Sequence, residues 1–251
     1  MTALKILLLG ETWVTHAIHQ KGAATYTTGE YNEGHQPLTE ALAQHHDVTV
    51  VPNHLATNIA PWTAEEWDEY DVVILSDIAA DTLLLHADPF VHGKAVPNRL
   101  GELARWVKEF GGGVLMVGGY MSFSGFEGKA NFHFTPLAPA LPVGMYGFDD
   151  RVERPEGISP STVVDGHPLL DGVSTDWPIF LGYNKLIRRA DSEVLVEFEG
   201  DPFLAVRQFG EGRTTAFASD CSPHWGSPQF LAWESYAVLW DRMVRWTAGA
   251  I

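Results

Sequence analysis

The chain has 251 residues, 45% hydrophobic and 12% aromatic, enough apolar side chain to fill a large core, which excludes disorder, collagen and small disulfide scaffolds. Sixteen Lys and Arg against 32 Asp and Glu give a formal net charge of -16, so no general attraction to nucleic-acid phosphates or anionic lipid is expected. Cys221 is the only cysteine; it can form neither an intrachain disulfide nor a CxxC pattern, which suits a reducing cytoplasm.

The first apolar run, Ile6 to Leu9 between Lys5 and Gly10, is far too short for a signal-peptide core or a membrane span and reads as a buried strand over Leu4 to Leu9. A polar, Gly- and His-containing stretch from Gly10 to Gln36 follows. Leu38, Ala41, Leu42 and His45 then share one helical face, and Val48 to Val51 starts a second strand. Trp62 to Tyr70 reads as a short helix or turn and Asp71 to Asp77 as a third strand. Leu100, Leu103, Ala104, Val107 and Phe110 line a helix that ends at Gly111, Gly112 and Gly113. Val114 to Val117 is the fourth strand.

From Tyr120 to Ser161 the chain is rich in Gly, Pro and aromatics without sustained periodicity, the pattern of an ordered excursion that helps wall a cleft. Strands return antiparallel at Val194 to Phe198, Phe203 to Phe209 and Thr214 to Ser219. Trp233, Tyr236, Ala237, Trp240, Met243 and Val244 mark a last amphipathic helix, whose Trp-rich face is core or a subunit interface. No repeat, linker or low-complexity tract divides residues 1–251, so a single α/β domain is expected, with a mainly parallel sheet, helices on both faces and an antiparallel C-terminal extension.

In such a sheet, ligands bind beyond the carboxyl ends of the strands. That rule selects Gly10, Glu11, Thr12 and Trp13 after strand one, Ser76 and Asp77 after strand three, and Gly119, Tyr120, Met121 and Ser122 after strand four. Asp220, Cys221 and His224 join them from the C-terminal hairpin. Cys221 and His224 could form a nucleophile pair, although a small buried cysteine is the commoner use of that residue. Asp220 and His224 could instead serve without the thiol, the carboxylate fixing the imidazole tautomer, or they could simply cap and pack. Glu11, His16, His19 and His35 have metal-ligand chemistry but no diagnostic spacing, so no metal and no cofactor is expected. The glycines at 111–113 and 118–119 lack the pattern of a phosphate loop. Phe123, Phe126, Phe132, Phe134, Tyr146 and Phe148 could stack on a sugar or fill a core beneath the excursion.

The segments GGGVLMVGGYMSFSG at 111–125 and FGEGRTTAFASDCSPHW at 209–225, with PNRLGELARWVKEFGGG and YDVVILSDIAADTLLL upstream, resemble the class I glutamine amidotransferase-like proteins. The resemblance implies a flavodoxin-like three-layer sandwich, and an active site with a cysteine in the turn after a Gly-containing strand and a later His-Pro-Glu. Here the turn Gly118-Gly119-Tyr120-Met121-Ser122 contains no cysteine, and Ser-Pro-His-Trp stands where His-Pro-Glu is implied. The phenol of Tyr120 is a poor substitute for a thiolate. The expectation is therefore a protein on that framework that acts on, or only binds, a small polar molecule, with no nucleic acid or membrane partner and with homo-oligomerisation open. In the catalytic version Asp220 and His224 exchange protons, Gly119 and Tyr120 face a developing oxyanion, and Glu11, Trp13, Asp77 and Ser122 hold substrate.

Overall fold

A computed structural model describes residues 2–251. The chain opens with β1 (Lys5–Gly10), a ribbon of β2 (Thr12–Lys21) and β3 (Ala24–Glu33), α1 (Gln36–Leu42) and β4 (Asp47–Val51). Then come α2 (Asn53–Ile59), α3 (Ala64–Trp67), β5 (Val72–Ser76), α4 (Ala80–Leu84), α5 (Ala87–Phe90), α6 (Arg99–Arg105), a π-helical turn over Trp106–Phe110, and β6 (Gly113–Val117). The second half holds β7 (Val143–Gly144), β8 (Arg151–Ile158), β9 (Ser161–Thr162), β10 (Phe180–Asn184), β11 (Ile187–Arg188), β12 (Glu193–Phe198), β13 (Asp201–Phe209), β14 (Gly212–Phe217), α7 (Pro228–Leu231) and α8 (Tyr236–Thr247).

Eight strands form the central sheet in the order β4-β1-β5-β6-β14-β13-β12-β9. β4, β1, β5, β6 and β14 run parallel, and β13, β12 and β9 continue the sheet antiparallel. The residues of β5 and β6 are buried throughout, as are those of β1 after Lys5, which is why these strands read as unbroken apolar runs rather than alternating ones. The helices fall into two packed groups, α1 against α8, and α2, α4, α6 and α3 against one another. Trp240, Met243 and Val244 of α8 are wholly buried, so the Trp-rich helix serves the core.

Several expectations shift. The polar stretch after β1 is mostly a regular antiparallel ribbon, paired from Thr12 opposite Glu33 to Lys21 opposite Ala24. α1 ends at Leu42, leaving His45 exposed and burying His46 instead. His46 Nδ1 accepts the Leu4 N–H at 3.2 Å and its Nε2 donates to Asp241 Oδ1 at 2.9 Å, while Arg245 holds Asp241 and the Thr2 carbonyl. The excursion at 120–161 contains β8, which pairs with β10. Its aromatics divide: Phe123 and Phe132 are core, whereas Phe134 and Phe148 are exposed.

The functional end of the sheet depends on a tight passage. Gly10 has φ of +115°, and a Cβ there would stand 1.8 Å from the Ser76 carbonyl oxygen, a position only glycine can fill. Gly10→Ala is expected to cost about 3 kcal/mol or more through combined backbone strain and overlap. Urea unfolding measures it, and a variant of wild-type midpoint would contradict the packing described.

Candidate functional site

Immediately after Gly10 the backbone of Glu11 adopts φ of +52°, and after β5 that of Asp77 adopts +44°. Left-handed non-glycine residues store strain and gather at functional sites; here both carry carboxyl groups at adjacent strand ends. The Glu11 N–H donates to the Ser76 carbonyl at 3.0 Å, and the Ser76 hydroxyl donates to Glu11 Oε1 at 2.5 Å. Gly34 lies over the same carboxyl: a Cβ on it would come within 2.8 Å of Glu11 Oε2. Asn53 locks the neighbourhood, its side-chain amide donating to the carbonyls of Thr12 at 2.7 Å and Asp77 at 3.0 Å.

Asp77 Oδ1 accepts the Met121 N–H at 2.7 Å, and the Asp77 N–H donates to Ser122 Oγ at 3.1 Å, so the turn after β6 is stitched to the end of β5. Asp220 Oδ1 accepts from both the N–H and the hydroxyl of Ser222. Its Oδ2 lies 3.7 Å from His224 Nδ1, ion-pair distance rather than a hydrogen bond. Tyr120 meets the His224 ring edge-on at 4.4 Å between centroids, Trp225 stacks on His224 at 5.5 Å, and the Tyr120 and Trp225 rings also meet at 5.8 Å, so the three form one cluster. Glu153 secures both aromatics, accepting from Tyr120 OH at 2.8 Å and Trp225 Nε1 at 3.0 Å.

These groups surround a cleft of about 410 Å³ lined by Glu11, Trp13, Asp77, Tyr120, Asp220, Ser222, Pro223 and His224. Six of the residues singled out in the sequence thus share one wall. Three lie behind it. The Gly119 N–H is taken by Asn184 Oδ1 at 3.0 Å, Ser122 is buried beneath Asp77, and Cys221 is wholly buried with its sulfur 3.8 Å from Ser76 Oγ. His16 and His19, three residues apart on one strand, point to opposite faces of the ribbon, so they do not join Glu11 in a metal set. Ser222, Glu153, Asn184, Asn53 and Gly34 escaped sequence reasoning. The bare glycine before His35 and the Ser between Asp220 and His224 carry no motif, and Glu153 and Asn184 reach the site only through the β8–β10 pairing.

Charge is concentrated in this wall. Burial, then the nearby Asp220 and Asp77 carboxylates, push the Glu11 carboxyl well above its ordinary range. Burial and Asp220 push Asp77 up to about 6. The Asp220 carboxylate raises His224 above the usual imidazole value. Burial raises the Cys221 thiol well above its ordinary value, and the Glu11 and Asp220 charges add to the effect. Burial also raises the Tyr120 phenol. Glu11, Asp220 and Cys221 place ligand atoms within 4.8 Å of one another, but the Ser76 and Ser222 hydroxyls already engage the carboxylates, and the thiol is held protonated. A proton-exchanging wall is the chemistry this arrangement offers.

Two outcomes follow from the electrostatics. Asp220→Asn is expected to lower the His224 pKa, measured by NMR titration of the imidazole. Glu11→Gln is expected to raise the unfolding midpoint, and more so as pH increases. The native carboxyl binds its proton more tightly than the unfolded one, so the wild type loses stability as pH rises above the unfolded pKa, until the native group has also ionised. Unfolding curves for the pair between about pH 5 and 8 test the sign.

The family described as "Putative glutamine amidotransferase" matches residues 5–249. Among solved structures, cytoplasmic protein STM3548 from Salmonella typhimurium is 43% identical with a TM-score of 0.93, over 97% of this chain and 99% of that one. Cytoplasmic protein STM1381 from Salmonella typhimurium LT2 is 44% identical with a TM-score of 0.92 over the same shares. A ThuA-like protein from Parabacteroides merdae has a TM-score of 0.57 at 13% identity, over 99% of this chain and 91% of that one, a likeness of fold alone. No curated protein matches. With nearly its whole length matched, the chain belongs to the family described as "Putative glutamine amidotransferase".

Proposed function

We propose that the cleft takes a small polar molecule, uncharged or cationic, and acts on it by proton transfer without a thiol nucleophile. The observation that carries this reading is the pairing of His224 with Asp220, facing two carboxyls with raised pKa values across a cleft that no Lys or Arg lines. An anionic substrate would meet no Lys or Arg there, only an imidazole already paired with Asp220. Asp220 turns Nδ1 towards itself, so Nε2 is the nitrogen available as base. Glu11 and Asp77, held towards their protonated forms, supply the complementary acid. Trp13 and Tyr120 offer flat apolar surfaces, suited to the carbon faces of a polyol or an amine.

Glutamine hydrolysis through cysteine is not part of this reading. Tyr120 occupies the turn after β6, and the one thiol sits behind the wall with its pKa raised. The parallel strands follow the order β4-β1-β5-β6-β14, or 2-1-3-4-5 by their sequence among themselves, which supports a flavodoxin-like sandwich with the cleft beside its switch point. We read residues 1–251 as one domain, with the excursion at 120–161 as one wall of the cleft. A cytoplasmic location accords with the names of the two Salmonella relatives, and among the described residues no helix is long and apolar enough to cross a membrane. With a net charge of -16, nucleic acid is not a partner in this reading.

A thermal-shift panel of amides, sugars, amines, nucleotides and divalent cations identifies the ligand, because binding to the native state raises apparent stability. Turnover of the ligand found is expected to fall about 100-fold or more in Asp220→Asn and His224→Gln, and to survive within a few-fold in Cys221→Ala. Native Cys221 is expected to resist iodoacetamide until the chain unfolds. Stabilisation by a ligand that is never converted would favour a pure binding protein on the same framework; loss of turnover in Cys221→Ala would restore thiol chemistry.

A further inference from the structure

The ribbon of β2 and β3 is not used by the chemistry of the cleft beyond its root. Of its twenty strand residues all but Thr12, His19 and Asn32 are exposed, so neither face is covered along most of its length. A lone two-stranded hairpin is marginal in water, yet this one is paired without a bulge over ten residues a side. Its side chains are those of a sheet surface made to be covered. Val14, His16, Ile18 and Tyr31 share one face, and Trp13, His19 and Tyr26 share the other. Ile18 is 76% exposed and Val14 51%. The strands carry no proline, one of the common devices that discourage edge pairing.

Charge indicates what covers it. Residues 12–29 contain one Lys, two His and no Asp or Glu, in a chain that holds 32 acidic residues. Glu30 and Glu33 lie at the root of the ribbon, opposite Thr15 and Thr12, so its distal part is an acid-free projection of an acidic body, and the bodies of two copies repel except where such a projection meets them. A stable interface engages roughly 20–30 residues a side, close to the size of this ribbon. We infer that the ribbon is an arm that docks onto the acidic body of a second copy of this chain. At the root of the arm Trp13 lines the cleft and Tyr31 packs edge-on against His54, so docking takes place beside the site.

Sedimentation velocity on the full chain, run as a dilution series, tests this assembly. The wild type is expected at twice the chain mass or more. The Val14→Glu, Ile18→Glu double variant, which places two acids on one exposed face, is expected to weaken association by about tenfold or more with an unchanged far-UV spectrum. A wild type that is monomeric throughout the series overturns the inference, as does an assembly that the two acids leave intact. Hydrogen exchange on the wild type gives a reading that does not depend on the variant folding. Amides of residues 12–33 should gain protection as concentration rises, and protection independent of concentration overturns the inference.

Discussion

The hydrogen bond from the Glu11 N–H to the Ser76 carbonyl, backed by the Ser76 hydroxyl on the Glu11 carboxyl, ties the end of β1 to the end of β5. Every group in the cleft is placed relative to that tie. Gly10 permits the approach, and the left-handed turns at Glu11 and Asp77 swing both carboxyls to the same side of the sheet. Asp77 then fixes the turn after β6 through Met121 and Ser122, which sets Tyr120 against His224. The site is the geometric result of three adjacent parallel strands ending at one level, with β14 delivering Asp220 and His224 to the same rim.

Three carboxyl groups share one wall, and burial together with their mutual repulsion favours the protonated forms of Glu11 and Asp77. Serine hydroxyls, backbone N–H groups and one imidazole surround them where arginines would ordinarily neutralise such a cluster. Elsewhere the protein uses that ordinary solution: Arg245 and His46 share Asp241, and Arg151 holds Asp149. Buried Asp150 also lacks a cation, but it stands singly on the Asn184 amide and the Ser124 and Gly125 N–H groups; it is the clustering of Glu11, Asp77 and Asp220 around one cleft that marks the cleft as chemical.

The parallel core was legible because strands buried on both faces must be apolar throughout; Val72 to Leu75 and Val114 to Val117 can hardly be read otherwise. The site rim was legible for the related reason that strand ends position ligands, which brought Glu11, Asp77, Tyr120, Asp220 and His224 together before their contacts were known. The ribbon was not, because a strand exposed on both faces has no apolar alternation: Thr25, Tyr26, Thr27 and Thr28 offer β propensity without a period. Cys221 was ambiguous, since a nucleophile and a buried packing residue look alike in sequence, and only its position behind Ser76 separates them. Glu153 and Asn184 arrive through long-range pairing in the second half of the chain, and no local pattern announces them.

The strand order also governs how the chain behaves while it is being made. β6 pairs on one side with β5, close behind it in sequence, and on the other with β14, which begins at Gly212. The first strand is clamped from the far end of the chain as well, through His46, Asp241 and Arg245. A nascent chain emerging from the ribosome therefore carries a bare, wholly apolar β6 edge throughout synthesis of the excursion and the antiparallel strands. That interval is when the newborn chain is most prone to aggregate, and slow translation before residue 212 prolongs it.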